Sequence, residues 1–495
     1  MKTLQKCYMI ILLLHFSCTI IYGQPFSLDN TFESSYVFRD YYDNNEAGGI
    51  ISVIELDDGS LRIGGGFQDP FDIYNIGLNI KLHSNGMFDP SYGIFGGGVG
   101  LSIYYRHPYI YYLNWGTLGR CDYQTGIIDT VFYNNKYISN YGGHFNDLYI
   151  LDNGDLLIGG GNVYHAGLPD VRYTWISRIK ENGFFDTSFH HDANNHVKFF
   201  LKYDENRIMI AGNFTMYDSI PINQIARIYN DGSLDTSFHS ILSNWPKPLY
   251  IQDDGKVIVG GVVNIQNYDS LLALVRLNPD GSLDSSFNNF NNVQSKFGLV
   301  QVVTQAEEYY HSYTLVQTTN NKYIVGGNFA NYQGYERHHI VLTDLDGFID
   351  TTIFTGSGID TCLGMLSSWG YTQVNTIVPA QNDKYYVAGK FSGFNGQMVE
   401  PIIRLNPHDH VGVEEQEEEE GLLIYPNPAK ETLLLNAGSF ITEVEVFSLS
   451  GRLVKVVPIN STRKSIDVSE FPSGNYILRA ISRDEVWVKK FVIIR

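Results

Sequence analysis

The sequence predicts an all-β protein, in which a seven-bladed β-propeller is followed by a small Ig-like antiparallel β-sandwich. Three observations favour this fold class. The 495 residues include 48 glycines and 35 tyrosines, and alternating apolar segments are separated by Asp-Gly and Asn-Gly turns. Two short motifs recur along most of the chain, and residues 422–495 carry a separate strand pattern. The apolar fraction of 43% is sufficient for several cores.

The N-terminus has the features of a secretory signal peptide over residues 1–23. Lys2 and Lys6 precede a short apolar run that ends in small residues, so we expect cleavage between Gly23 and Gln24. A membrane-spanning helix is the alternative. The run is short and interrupted, and no later segment is long enough to cross a bilayer, so we expect no transmembrane segment.

Two cysteines remain after the signal peptide, Cys121 and Cys362. They are far apart in sequence and do not form the framework of a disulfide-rich domain. Neither lies in a CxxC motif or beside histidines, which a zinc site would require. We therefore expect two isolated buried thiols and no metal site.

The first repeated motif is a turn, an apolar run and a pair of small residues. The small residues end a strand, where glycine permits a bulge or a close approach of backbones near a crowded axis. A fixed motif that recurs at intervals of tens of residues is typical of repeat architectures. Six copies begin at Leu56, Leu151, Tyr203, Gln252, Thr319 and Gln381, and a degraded seventh copy ends at Gly116.

The second motif is a strand with an arginine, a turn and the sequence Leu-Asp-x-x-Phe. Its last strand, which carries Arg404, stops before the Leu-Asp part, and the missing half occurs near the N-terminus as residues 28–32. A unit built from both ends of the chain predicts a closed ring, which removes open sheet edges. We therefore expect Asp29 and Phe32 beside Arg404, and a propeller over residues 24–410. An open β-solenoid is the alternative, but it gives no reason for a split unit.

The repeated aspartate has two possible roles. It could cap its own turn, or pair with the arginine eight residues earlier, as in Arg227 and Asp235. Asp350 persists where Val341 stands near the arginine position, so we expect capping to be the more general role. Seven repeated carboxylates indicate maintenance of the repeat, and we assign no catalytic residue among them.

These repeats resemble the delta-60 repeat, a family of propeller-forming units in exported bacterial proteins. The resemblance covers most of residues 27–407 and is strongest in the third to fifth units. It implies a propeller fold and leaves the biochemical activity open.

Residues 411–421 are predicted to form an acidic linker, because six of the seven residues 414–420 are glutamates. Such a run cannot bury itself and is expected to be extended and solvated. Calcium binding is the alternative, but a flexible run lacks the fixed cage of oxygen ligands that calcium needs.

Residues 422–495 contain four short blocks in a fixed order, at residues 425–428, 450–455, 471–476 and 489–491. With these blocks the segment resembles the type A C-terminal sorting domain of the bacterial type IX secretion system. The resemblance implies that the secretion machinery binds this domain, carries the protein from the periplasm across the outer membrane and then removes the domain. The protein would be released, or attached to surface lipopolysaccharide. An ordinary adhesive Ig-like module is the alternative. The residues that we assign to the sorting motif are Pro426, Asn427, Pro428, Gly451, Gly474, Lys489 and Lys490.

The sequence contains no motif for nucleophilic, zinc-dependent or nucleotide-dependent catalysis, and we predict no cofactor. The net charge of −19 argues against nucleic-acid binding. We therefore expect a non-enzymatic binding or scaffold protein at the cell surface or in the medium. Its glycan or protein ligand would contact the long insertions at residues 133–144, 290–312 and 355–372.

An extracellular hydrolase or lyase that acts on polysaccharide at the mouth of the propeller channel is the alternative function. Such chemistry needs two carboxylates that face each other and lie outside the repeats. Glu307, Glu308 and Asp360 are the candidates in the long insertions.

Overall fold

In the computed structural model of the chain, 55% of the described residues are in strands and 3% are in helices, so the regular secondary structure is almost entirely β. The chain divides into two compact units, Met1–Asp409 and His410–Arg495. The predicted signal peptide and acidic linker lie outside the described residues. No helix in the described part of the chain has the length and hydropathy needed to cross a membrane. The structure describes residues 26–36, 38, 49–68, 76–92, 95–96, 102–113, 117–135, 138–139, 145–165, 173–244, 246–265, 272–287, 313–360, 372–406, 422–425, 427, 429–448, 452–483 and 486–494.

Antiparallel sheets with three main strands follow one another along the first unit. Sheet 1 contains β1 (Gly49–Glu55), β2 (Leu61–Gln68), β3 (Ile76–Leu82) and β4 (Phe95–Gly96). Sheet 2 contains β5 (Ser102–Arg106), β6 (Tyr109–Leu113) and β7 (Leu118–Asp122), followed by helix α1 (Thr130–Asn135). Sheet 3 contains β8 (Ile138–Ser139), β9 (Phe145–Ile150), β10 (Leu156–His165) and β11 (Tyr173–Ile179).

Four further sheets repeat this plan, three of them with a short hairpin before the last strand. Sheet 4 has β12 (Val197–Lys202), β13 (Arg207–Gly212), the hairpin β14 (Met216–Tyr217) and β15 (Ile220–Pro221), and β16 (Ile225–Tyr229). Sheet 5 has β17 (Leu242–Ser243), β18 (Lys247–Ile251), β19 (Val257–Ile265) and β20 (Leu272–Leu277). Sheet 6 has β21 (Tyr313–Gln317), β22 (Tyr323–Gly327), the hairpin β23 (Asn331–Tyr332) and β24 (Tyr335–Glu336), and β25 (Ile340–Thr343). Sheet 7 has β26 (Ile359–Asp360), β27 (Gln373–Pro379), a 3₁₀ turn (Gln381–Asp383), β28 (Tyr385–Lys390), the hairpin β29 (Gly393–Phe394) and β30 (Gln397–Met398), and β31 (Ile402–Leu405).

The first main strand of each sheet contacts the first main strand of the next sheet. The cyclic order of these contacts is β1, β5, β9, β12, β18, β21 and β27, and β27 in turn contacts β1. Hydrophobic clusters fill the spaces between neighbouring sheets, as in the cluster that joins Ile208 and Ile228 of sheet 4 to Ile176 of sheet 3. This arrangement is propeller-like.

The paired small residues let backbones approach closely. In sheets 1, 3, 4, 5 and 7 the first strand has a register shift near this pair, where it bulges. A Cβ atom on Gly389 would lie only 2.1 Å from the Gln373 carbonyl oxygen, and one on Gly65 would lie 2.4 Å from the Gly49 carbonyl oxygen. Glycine is therefore required at these positions by the first strand of the same sheet.

Tight turns gather at one end of the sheets. Because antiparallel neighbours reverse direction, the turn between the first and second strands and the turn after the third strand lie at the same end. Glycines with positive φ occupy these turns, as Gly255 does at +81° and Gly281 at +87°. We call this the turn end. The opposite end, where the first main strands begin, is the open end.

A short fourth segment follows the third main strand of each sheet. In sheets 1 to 6 it returns through one tight turn, whereas in sheet 7 it comes from the N-terminal segment. The isolated antiparallel bridges that place it are Leu82–Phe88, Cys121–Ile128, Ile179–Phe185, Ile228–Leu234, Leu277–Leu283, Thr343–Ile349 and Leu405–Leu28.

The second unit is built around one long strand. The first half of β33 (Thr432–Ser448) pairs with β32 (Leu422–Tyr425), and its second half pairs with β35 (Gly474–Ser482). On its other side, β34 (Leu453–Asp467) pairs with both halves, while β36 (Val486–Ile493) pairs with β35. The core of this unit includes the fully buried side chains of Leu433, Leu435, Ile441, Val444, Leu478 and Phe491.

Candidate functional site

Each repeated aspartate both caps a turn and pairs with a cation. Asp235 Oδ1 accepts hydrogen bonds from the Ser237 N–H at 2.9 Å and hydroxyl at 2.6 Å, and its Oδ2 lies 2.6 Å from Arg227 Nε. Burial alone would raise the pKa of Asp235, but these bonds hold it well below its usual range. In sheet 6, Lys322 Nζ lies 2.8 Å from Asp350 Oδ2. Pairing is therefore as general as the capping that we expected to prevail.

The same motif also fastens each sheet to its neighbour. Arg227 of sheet 4 donates from Nη1 to the Pro279 carbonyl in the last turn of sheet 5, at 2.7 Å. Phe287 of sheet 5 lies against the corresponding turn of sheet 6, where a Cβ atom on Gly347 would be 2.6 Å from its ring. These contacts give the repeated arginine, aspartate and phenylalanine a structural role.

Residues from both ends of the first unit meet in sheet 7. Leu28 bridges Leu405, and the Asp29 N–H donates to the Arg404 carbonyl at 2.8 Å. Arg404 Nε lies 2.5 Å from Asp29 Oδ2, and its guanidinium is 5.0 Å from the centre of the Phe32 ring. The structure thus brings together the three residues that the sequence assigns to ring closure.

Ionisable side chains meet near the open end of the first strands. Asp147 of β9 accepts hydrogen bonds from Tyr104 Oη of β5 at 2.6 Å and from the Phe200 N–H of β12 at 2.7 Å, so it joins three sheets. Burial raises the pKa of Asp147 to about 6 despite these bonds. Lys247, the first residue of β18, has its ammonium 5.4 Å from the centre of the Phe199 ring, and burial lowers its pKa.

A second group of side chains lies along the joint between sheets 3 and 4. The rings of Trp175 and His196 have centroids 5.0 Å apart, and Asn146 Nδ2 lies 3.3 Å from His196 Nδ1. All three side chains are half-buried. Trp175 is the third residue of β11, Asn146 is the second of β9, and His196 directly precedes β12, which places them towards the open end. We call these three residues the Trp175 cluster.

Sequence reasoning missed both groups, although one signal for Asp147 and Lys247 was available. Asp147 and Lys247 each pair with the first glycine of the small-residue pair in the second strand. In sheets 1 and 6 the residues of the first strand at this position are Ser52 and Thr314. A charged residue in a first strand therefore interrupts the repeat pattern. No comparable signal marks the Trp175 cluster, because its members come from three separate segments.

The insertions named as candidate ligand sites are described only in part. Residues 290–312 lie outside the described residues, as do Glu307 and Glu308. Residues 133–135 and 138–139 of the first insertion, and 355–360 and 372 of the last, are described. Asp360 Oδ2 accepts a hydrogen bond from Ser357 Oγ at 2.6 Å. The described part of the chain contains no group of three or more histidine, cysteine or acidic side chains placed to hold a metal ion.

Cys121 is a fully buried free thiol in β7. Its Sγ lies 3.6 Å from Tyr92 Oη, and burial raises its pKa to about 11. A thiol with this pKa is a poor nucleophile, so Cys121 has the properties of a core residue. Cys362 lies outside the described residues.

Two residues assigned to the sorting motif, Asn427 and Lys490, contact each other in the second unit. Asn427 Oδ1 accepts a hydrogen bond from the Val492 N–H at 2.9 Å, and its Nδ2 lies 3.4 Å from the Lys490 carbonyl. Lys489 and Lys490 lie in β36. Gly474 is the first residue of β35 and pairs with Ile493 of β36. Outside the described residues lie Pro426, Pro428 and Gly451, together with the cleavage residues Gly23 and Gln24.

Comparison with protein families identifies the two kinds of unit in the chain. Residues 423–494 match the secretion system C-terminal sorting domain. Residues 206–238, 252–287 and 318–352 match a β-propeller domain of unknown function, DUF5122. The chain therefore carries DUF5122 β-propeller repeats and, after them, a C-terminal sorting domain, in agreement with both resemblances drawn from its sequence. The sorting domain implies export to the cell surface or the medium.

Solved structures offer distant likenesses only. PorZ, described as an essential surface component of the type IX secretion system of Porphyromonas gingivalis, is 12% identical with a TM-score of 0.38, over 95% of this chain and 61% of PorZ. The extracellular domain of a one-component system from B. thetaiotaomicron is 12% identical with a TM-score of 0.39, over 95% of this chain and 59% of its own. The chain thus spans about three fifths of the length of each. No curated protein matches the chain.

Proposed function

We propose that this protein is an exported, non-enzymatic β-propeller that binds an extracellular ligand or acts as a scaffold. The type IX secretion system would deliver it to the cell surface or the medium. The match of residues 423–494 to a secretion system sorting domain is the observation that carries this proposal. Loops at one end of a rigid scaffold are the usual place for a binding site in such folds.

We infer that the propeller has seven blades, sheets 1 to 7. The cyclic contacts of the first strands support this number, because β27 returns to β1. The pairing of Asp29 and Arg404 supports a ring that is closed by residues 28–32. We further infer that the second unit is an Ig-like sandwich. The two halves of β33, each with a different partner on one side, support two layers.

The open end is the part of the propeller that we assign to ligand binding. Leu405 pairs with Tyr385, which directly follows the tight turn at residues 380–384, so β31 ends at the turn end. The Asn406 N–H donates to the Ser27 carbonyl at 2.9 Å, so the first described residues lie at the turn end as well. The described residues at both ends of the first unit therefore lie at the turn end, which supports assigning the ligand to the open end.

Localisation and mass spectrometry of the mature protein test the export proposal. We expect an N-terminus at Gln24 and a product that ends near the glutamate run, outside the outer membrane. A variant without residues 422–495 is the matched control and should accumulate in the periplasm. Periplasmic protein with an intact C-terminus in the unmodified strain would contradict the proposal.

The raised pKa of Asp147 is the one observation that favours a second candidate, a hydrolase or lyase that acts on polysaccharide. Carboxyls with shifted pKa values are concentrated in active sites. Its oxygens, however, are occupied by Tyr104 Oη and by the Phe200 and Leu148 N–H groups, which is also what a structural link between sheets requires. Turnover of a polysaccharide that disappears in Asp147→Asn, without loss of folding, would favour the enzyme.

A further inference from the structure

The Trp175 cluster contains two polar atoms that the described residues leave unused. The indole N–H of Trp175 donates to no described residue, and Asn146 Oδ1 accepts no hydrogen bond from one. Neither atom is among the fully buried atoms without partners, so each keeps some solvent-accessible surface. An accessible donor and an accessible acceptor therefore flank the half-buried rings of Trp175 and His196.

The fold explains one side of the Asn146 amide but not the other. Asn375 occupies the same bulge position in β27, and its Nδ2 donates to the Ile50 carbonyl of the next first strand at 2.7 Å. Asn146 Nδ2 lies 3.4 Å from the Val197 carbonyl in the equivalent place. The amide nitrogen thus links neighbouring first strands in both sheets, and Asn146 Oδ1 is free for another partner.

Trp175 packs in part against the hydrophobic cluster between sheets 3 and 4, but the other sheets do not place a tryptophan at its position. Trp175 lies in the third strand of sheet 3, directly before Ile176. Ile176 pairs with Gly159, which is the first small residue of the second strand. The corresponding residues in sheets 4 to 7 differ in size and chemistry, so tryptophan here is a particular feature of sheet 3. These residues are Gln224, Ala273, His339 and Pro401.

We propose that the Trp175 cluster binds a sugar residue of a glycan chain at the open end. This inference rests on the proposed binding function and adds the class of ligand. A sugar ring presents a flat face of C–H groups, which packs against an aromatic ring, and its hydroxyls both donate and accept hydrogen bonds. The cluster supplies an aromatic ring, a donor and an acceptor. The Asp192 carboxylate lies beside it, where its Oδ1 accepts hydrogen bonds from the Trp175 and Ile176 N–H groups at 2.8 and 3.3 Å and so serves the fold.

Binding of the full chain without its signal peptide to an array of defined oligosaccharides, followed by calorimetric titration of the strongest hit, tests this proposal. Trp175→Ala reproduces the residue of sheet 5 and should fold, yet weaken binding by about tenfold or more because the ring face is lost. Trp175→Phe keeps a ring but not the N–H donor, and should weaken binding by roughly threefold.

Phe184→Ser is the matched control, because Phe184 is an exposed aromatic residue of the same sheet at the turn end. Serine stands at this turn position in sheets 4 and 5, as Ser233 and Ser282. The Phe184→Ser variant should bind the oligosaccharide with the same affinity as the parent protein. If the parent protein binds no oligosaccharide, or if Trp175→Ala binds as tightly as the parent, the proposal is overturned. If the protein then binds a defined protein ligand at the open end, the proposed binding function is supported and only the glycan class of ligand is wrong.

Discussion

The joint that closes sheet 7 uses the same contacts as the joint within sheet 5, although the chain connects them differently. The Asp284 N–H donates to the Arg276 carbonyl at 2.9 Å, and the Asp29 N–H donates to the Arg404 carbonyl at 2.8 Å. One tight turn links Asp284 to Arg276, whereas Asp29 and Arg404 come from opposite ends of the unit. The side chains therefore define the joint, and the turn is not needed for its geometry.

The second cation is also shared between the two joints. Lys256, just after the first turn of sheet 5, lies 3.1 Å from Asp284 Oδ2, and Lys384 in the same place of sheet 7 lies 2.8 Å from Asp29 Oδ2. The difference is that no covalent turn holds residues 26–36 in place. Packing and polar contacts, which include the Glu33 and Ser35 N–H groups that donate to the Asn85 and Gly86 carbonyls at 3.1 Å, must offset the entropy lost when this segment is ordered.

Removal of residues 24–33 is the most severe way to break this comparison. The deletion takes away Phe26 and Phe32, which are buried in two core clusters, and leaves Arg404 and Lys384 without their carboxylate. It also exposes the free edge of β31, which invites aggregation. We expect loss of cooperative unfolding and a shift to oligomers, measured by thermal denaturation and size-exclusion chromatography. A monomer with an unchanged melting temperature would show that the closing segment contributes little.

Single substitutions compare the two joints directly. Asp29→Ala leaves the mostly buried Arg404 without its carboxylate, which should cost about 3–5 kcal/mol in the free energy of unfolding. Asp284→Ala should cost less, because Arg276 Nη2 still lies 3.0 Å from Asp346 Oδ1. Chemical denaturation measures both costs. Only Asp29→Ala should also allow a protease to cut within residues 26–36 under native conditions. Equal cleavage in both variants would contradict the distinction between a tethered and an untethered joint.

The repeats made the fold predictable, because each unit repeats the same physical requirements. Only glycine fits where a first strand bulges against Gly389, and the carboxylate of Asp29 needs the guanidinium of Arg404. A motif that is split between the ends of the chain therefore indicated ring closure. The sequence could not show that Lys322 takes the place of the arginine in sheet 6, since this lysine comes from a different strand.

The candidate site was less predictable, because it is assembled between repeats. Trp175, Asn146 and His196 belong to a third strand, a first strand and the segment before the next sheet, and each looks ordinary in its own segment. Asp147 differs from the repeat, but nothing local indicates that Tyr104 and the Phe200 N–H converge on it. Such convergence depends on how neighbouring sheets pack, which a repeat motif does not encode.

The pH dependence of stability distinguishes Asp147 from the carboxylates of the joints, because the pKa of Asp147 is raised whereas theirs are lowered. The pKa of Asp350 is about 2, so its stabilising contribution is lost as pH falls from about 4 through 2. The pKa of Asp147 is about 6, so its contribution is present below pH 4 and is lost as pH rises through 6. Asp147→Asn should flatten the change in unfolding free energy between pH 5 and 7 by about 1–2 kcal/mol. An unchanged slope in urea denaturation would contradict this assignment.

A circular permutant is the mildest test, because the comparison predicts almost no effect. Asn406 would be joined to Leu28 through the turn sequence of residues 279–282, because Asn406 already takes the place of Asn278, and new termini would open within that turn of sheet 5. If the side-chain contacts define a joint, the permutant should unfold within about 1 kcal/mol of an unpermuted chain of residues 28–406, which likewise lacks Phe26, since long loops add closure entropy only slowly. Protease sensitivity should move from residues 26–36 to the residues around Asp284. A permutant opened in an exposed turn between a first and a second strand is the control. If the control folds and the sheet 5 permutant does not, the tight turn is essential to the joint of sheet 5, and the two joints are not interchangeable.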